Sequence, residues 1–114
     1  AGEGIRAPVD QRSSPTYNAD LAAATLALVE RRTRGIVHVA GPQVMDRYAF
    51  ARAVCEVFEL DTSLLASVTT AQLGQRAPRP LDAGLRVDRG RALVATPLRG
   101  PIEGLRAMRE QLAC

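Results

Sequence analysis

The 114-residue chain contains no lysine; all 15 of its basic residues are arginine. With abundant alanine beside them, this reads first as the codon usage of a GC-rich genome. It also excludes one chemistry, the tyrosine made acidic by a lysine four residues further on. Tryptophan is absent, and two Tyr and two Phe leave few platforms on which single-stranded nucleic acid could stack. The arginines are scattered and the net charge of +3 forms no basic block, so the electrostatic footprint of a nucleic-acid binder is missing. One histidine and two cysteines, without clustered carboxylates, are too few for a metal centre. Cys55 and Cys114 are expected to be free thiols, which fits a reducing cytoplasm. No signal segment opens the chain, which begins Ala1-Gly2 as a processed product or an internal fragment would. The longest apolar run, over 21–29, is roughly half of what crosses a bilayer, so no membrane partner is expected.

What is present is an ordinary globular composition, 46% hydrophobic and 24% charged, sized for one compact domain. Residues 5–9 read as extended and 10–16 as a polar turn. Asn18 is the expected N-cap of a helix reaching about Arg32, with Gly35 as the stop beyond it. Residues 36–40 are β-branched and apolar on both faces. Such a strand belongs inside a sheet covered on both sides, which one or two short companions cannot provide. Asp46 should cap a helix to about Glu59, with Tyr48, Ala51, Cys55 and Phe58 on one face. Asp61 should cap a short turn, and Thr70 a brief helix over 71–73. Prolines 78 and 80 make 77–80 a rigid loop. Asp88 should cap a helix through Val94, and Pro101 should occupy the first position of the last helix.

Reactive groups are sparse. His38, alone in an apolar stretch, reads as a packed residue, and Ser13, Ser14, Thr16, Tyr17 and Tyr48 have no neighbouring base. No GxGxxG, GxSxG or Walker sequence occurs, so neither a catalytic nor a cofactor-binding residue is expected in this chain. Arg79, between two prolines, is the feature that fits a ligand: a guanidinium on a stiff loop is pre-organised for bidentate binding of phosphate or carboxylate. A solvated loop arginine is the equal alternative on local sequence alone. Arg12 and Arg47 are weaker candidates of the same kind.

Asp10-Gln11, Pro15-Thr16-Tyr17 and Asp20-Leu21-Ala22 resemble the Asp-Gln-x-Gly-x-Pro-Thr-x-x-x-Asp-Leu-Ala stretch of the dTDP-4-dehydrorhamnose reductases, with Ser13 in place of the usual glycine. The likeness continues through the run from Gly35 to Gly41, Arg47-Tyr48, Phe50-Ala51, Ala77-Pro78-Arg79-Pro80 and Leu85, and so covers nearly the whole chain. The resemblance implies an α/β fold, the helix-rich C-terminal segment of an extended short-chain dehydrogenase. Its short strands would complete a Rossmann domain that lies outside residues 1–114, and 36–39 would join that sheet. It further implies the sugar-nucleotide-binding portion of an NAD(P)-dependent reductase, in which hydride passes to the C4 keto group of a deoxysugar nucleotide. NAD(P) would be held by the missing N-terminal portion, this chain's main partner besides the substrate, and a homodimer of the parent is compatible with it. Carried over by position, Arg79 would contact the diphosphate or sugar, Pro15 and Thr16 would lie near the substrate cleft, and Arg12 stays an open candidate. Asp20 would fix its helix start and the preceding loop. The alternative is a non-catalytic regulatory or interaction module derived from the same fold.

Overall fold

Short strands alternate with helices in the computed structural model, which describes residues 3–96 and 98–113. The expectations for Ala1, Gly2 and Cys114 lie outside the described residues. In chain order the elements are β1 (Ile5–Pro8), β2 (Arg12–Ser13), α1 (Asn18–Glu30), β3 (Met45–Asp46), α2 (Arg47–Phe58), β4 (Leu65–Val68), α3 (Thr70–Leu73), α4 (Asp88–Leu93) and α5 (Pro101–Ala113). Strands β1 and β4 pair in parallel with Ile5 opposite Leu65 and Pro8 opposite Val68, while β2 and β3 form a two-residue antiparallel ladder. A mixed helix and strand architecture is therefore present, as expected.

The core sits between α2 and α5. Ala53, Val57 and Leu105 are buried there, and Phe50, Val54, Phe58 and Ile102 pack around them. Asp46 caps α2 as its sequence position dictates, its carboxylate accepting from the Ala49 N–H at 2.8 Å. Pro101 opens α5, where its missing N–H costs nothing. Asp61 caps a 3-10 turn over Thr62–Leu64 by accepting from the Ser63 N–H.

Four helix boundaries differ from expectation. Asn18 and Asp88 are the first helical residues of α1 and α4 rather than caps, and neither preceding residue supplies a side-chain cap. The helix α1 ends at Glu30, well before Gly35. Arg32 turns into the left-handed region at φ 54°, so its N–H reaches Val29 O while the Thr33 N–H reaches Leu28 O, which closes the last turn as a Schellman motif. Thr69, not Thr70, caps α3. It forms a capping box with Gln72, which releases the Thr70 hydroxyl for another partner.

The expected strand over 36–40 is absent, because no described strand lies beside it to take its N–H and C=O groups. Ile36 is 82% exposed, and His38 is exposed rather than packed. The segment is held from the side: Arg89 donates to the Ile36 carbonyl at 2.7 Å and the Arg34 carbonyl at 3.0 Å. At Gly90 of α4 an added Cβ would come within 2.6 Å of the His38 carbonyl oxygen, a spacing only glycine allows.

The molecule is thin and extended. A 114-residue domain has a radius of gyration of about 13 Å, whereas this chain has 16.1 Å and a shortest dimension of 19 Å. Leu26, Val29, Ile36 and Leu112 are all more than 60% exposed, and α1, apolar on every side, buries only Ala24.

Candidate functional site

Residues 10–12 follow directly from β1 and join four segments. The β1–β4 ladder is prolonged by Val9 N–H to Val68 O at 2.9 Å, which delivers Asp10 to the start of α3. There one Asp10 oxygen accepts from the Thr70 N–H at 2.9 Å and from the Thr70 hydroxyl at 2.6 Å. The hydroxyl bond, with the backbone bond behind it, holds the Asp10 carboxyl below its ordinary pKa of 3.8. Gln11 is 6% exposed, the buried polar side chain of the described residues. Its side-chain amide donates to Thr70 Oγ1 at 3.2 Å and to Gln75 Oε1 at 2.9 Å, while its backbone carbonyl accepts from the Arg47 N–H at 3.0 Å. Arg12 then binds the far end of the proline loop through its backbone, with its N–H to Leu81 O at 2.8 Å and Ala83 N–H to its carbonyl at 2.9 Å.

This arrangement brings three arginine-bearing segments together. Arg12 stands opposite Asp46 in the β2–β3 ladder and bridges to Asp82, one residue from Arg47 and three from Arg79. All three arginines are exposed, and none of their guanidiniums has a hydrogen bond or ion pair among the described residues. The carboxylates beside them are engaged elsewhere: Asp46 caps α2, Asp82 accepts from the Gly84 N–H at 3.3 Å, and Asp10 holds Thr70. Uncommitted guanidiniums beside committed carboxylates suit an anionic ligand.

Pro15 and Thr16 lie elsewhere, on a cleft of about 490 Å³ between the start of α1 and α5. Tyr17, Phe50, Leu105 and Met108 supply its apolar walls, and neither Arg12 nor Arg79 lines it. The Thr16 hydroxyl is committed, donating to Ser14 O at 2.9 Å and accepting from the Gly41 N–H at 2.9 Å. Gly41 packs so closely on the Pro15 carbonyl that a side chain there would overlap it. The four expected substrate contacts thus divide into an arginine group and a Pro15–Thr16 group.

Asp20 has a structural task, as expected, but toward a different segment. It accepts from the Arg99 N–H at 3.0 Å and pairs with the Arg99 guanidinium at 3.7 Å, tying α1 to the approach to α5 rather than to its own preceding loop. Arg99 also stacks 5.8 Å above the Tyr17 ring, whose hydroxyl donates to Gln111. No group of three or more His, Cys, Asp or Glu among the described residues is placed to hold a metal ion. No described helix is long and apolar enough to cross a membrane.

In the sequence Gln11 and Thr70 read only as a family match and a helix cap, and Gln75 has no expected role, so none of the three is placed at the site. The sequence carries no signal of this network; the burial of Gln11 in a polar turn shows it, since a carboxamide is rarely buried unless hydrogen-bonded.

The "RmlD substrate binding domain" family model matches residues 2–114. The dTDP-4-dehydrorhamnose reductase of Mycobacterium tuberculosis is 41% identical over 91 residues, 79% of this chain and 30% of the relative. The spore coat polysaccharide biosynthesis protein SpsK of Bacillus subtilis is 42% identical over 76 residues, 67% of this chain and 26% of that protein. The crystal structure of dTDP-4-dehydrorhamnose reductase from Bacillus anthracis in complex with NADP superposes with a TM-score of 0.84 at 24% identity, covering 96% of this chain and 38% of that one, and so shares the fold. The chain spans about 30% of the length of the curated relatives it matches. On the match over nearly its whole length, this chain belongs to the RmlD substrate binding domain family.

Proposed function

We propose that the chain is the substrate-binding part of an NAD(P)-dependent reductase acting on a 4-keto-deoxysugar nucleotide, in which Arg79, assisted by Arg12 and Arg47, binds the diphosphate. The observation that carries this is the joining, at the Gln11–Arg12 junction, of three segments that each bear an exposed arginine whose guanidinium has no partner among the described residues, in a chain of this family. Pro15 and Thr16 contribute shape to the cleft, because the Thr16 hydroxyl is already spent within the protein. The dinucleotide would supply hydride and would be held outside this segment, whose sequence has no GxGxxG loop. Such an enzyme works in the cytoplasm, where reduced dinucleotide is available.

The surface supports a large covering portion. A folded monomer of 12.2 kDa exposes about 6,000 Å², whereas this chain exposes 8114 Å². The excess of roughly 2,000 Å² is of the size of an obligate interface. Its apolar elements are α1 and the unpaired 36–40 segment, which a strand from the rest of a longer polypeptide would complete.

The test is calorimetric titration of dTDP into the complete polypeptide, wild type and Arg79→Ala. Loss of charge-assisted hydrogen bonds should weaken binding by about 1.5 to 3 kcal/mol. The melting temperature of the variant should stay the same, since the Arg79 side chain has no partner among the described residues. Equal affinity in the two proteins would remove Arg79 from the site.

A further inference from the structure

We propose that Gln11, through Gln75, is a positioning residue for Arg79, an inference that rests on the anion-binding reading of Arg79. Residues 76–80 are exposed throughout and make no hydrogen bond among the described residues. They are clamped at both ends by two consecutive residues. At the near end the Gln11 amide holds Gln75, just after Gly74 has turned the chain out of α3 in the left-handed region at φ 61°. At the far end the Arg12 backbone holds Leu81 and Ala83.

Between those clamps Pro78 and Pro80 remove most of the remaining backbone freedom, so the position of Arg79 depends on its two anchors. The far anchor is backbone to backbone and cannot be lost by a side-chain change. The near anchor is a side-chain bond, and Gln11 is itself fixed because Thr70, the second acceptor for its amide, is held twice by Asp10. Releasing Gln75 frees the near end of the loop while leaving the rest of the fold intact. An arginine that must be immobilised by its ligand binds more weakly than one already in place.

Gln75 is exposed and water can replace its carbonyl, so Gln75→Ala should fold and lose no more stability than the one hydrogen bond to Gln11 provides. The experiment is a double-mutant cycle in the complete polypeptide, read by calorimetric titration of dTDP. Gln75→Ala should weaken binding roughly three- to tenfold, the equivalent of one hydrogen bond. In the Arg79→Ala background the same substitution should change nothing, because its effect passes through Arg79. A merely structural role would not produce that silence. If Gln75→Ala weakens binding equally in both backgrounds, or in neither while Arg79→Ala does, the positioning role is overturned and the anion site stands. If Arg79→Ala binds dTDP as the wild type does, the site reading falls and the positioning role with it.

Discussion

Replacing Thr16 by valine keeps the shape of the side chain and removes only the hydroxyl. In the structure that hydroxyl donates to the Ser14 carbonyl and accepts from the Gly41 N–H, both at 2.9 Å. Gly41 is buried, so its N–H cannot turn to water once the acceptor is gone. Leaving a buried donor unsatisfied costs about 1 to 3 kcal/mol, and the bond to the half-buried Ser14 carbonyl adds about 0.5 to 1.5 kcal/mol. Thr16→Val should therefore destabilise the complete polypeptide by about 2 to 4 kcal/mol. Urea denaturation reads this as a lower midpoint with an unchanged slope, since the surface exposed on unfolding is the same. Affinity for dTDP, measured well below the midpoint, should change by less than about twofold, the effect of less than one net hydrogen bond. Unchanged stability combined with lost affinity would show that the hydroxyl serves the ligand rather than the 14–16 and 41 segments, and would refute the reasoning.

Asp10 gives the protein an acid-sensitive contact. Its folded pKa lies below its ordinary 3.8, so its contribution is full above the unfolded value and fades as pH falls through the folded one. Urea titrations between neutral pH and strong acid should show wild type more stable than Asp10→Asn near neutrality, with the gap closing as pH drops below 3.8. A gap independent of pH would mean that the charge on Asp10 contributes nothing; Asp61, lowered by its bonds to Ser63, titrates in the same direction in both proteins. In the core, Leu105 is 8% exposed against Ala53 and Val57, and Leu105→Ala should cost about 2 to 5 kcal/mol by thermal or urea unfolding. A loss under about 1 kcal/mol would mean that the α2–α5 seam does not anchor the fold.

The local rules of the sequence were sufficient where one residue decides an element. Asp46 and Pro101 fixed the starts of α2 and α5, and Asp61 its short turn, since each supplies or forgoes a specific hydrogen bond within a few residues. They were insufficient where the deciding partner is distant. The 36–40 segment has the composition of a strand, yet composition cannot create the neighbouring strand whose backbone it needs. Thr70 looked like a cap beside Thr69, and only the arrival of Asp10, 60 positions earlier, explains why its hydroxyl points elsewhere. Among the candidate residues, Arg79 is marked out in the sequence by its two prolines, and Pro15–Thr16 by the family pattern. The network of Gln11, Thr70 and Gln75 is not, because glutamines far apart in sequence carry no mark of the bond between them.

The most direct test of the central claim is turnover of the complete polypeptide with NADPH and dTDP-4-dehydrorhamnose, followed as nucleotide oxidation in wild type and Arg79→Ala. The wild type should reduce the sugar nucleotide, and the variant should show a raised KM with kcat largely retained, the signature of a group that binds substrate away from the reacting carbon. A complete polypeptide that binds dTDP-sugar and NADPH yet oxidises no nucleotide would contradict it and would make the chain a binding module on the same fold.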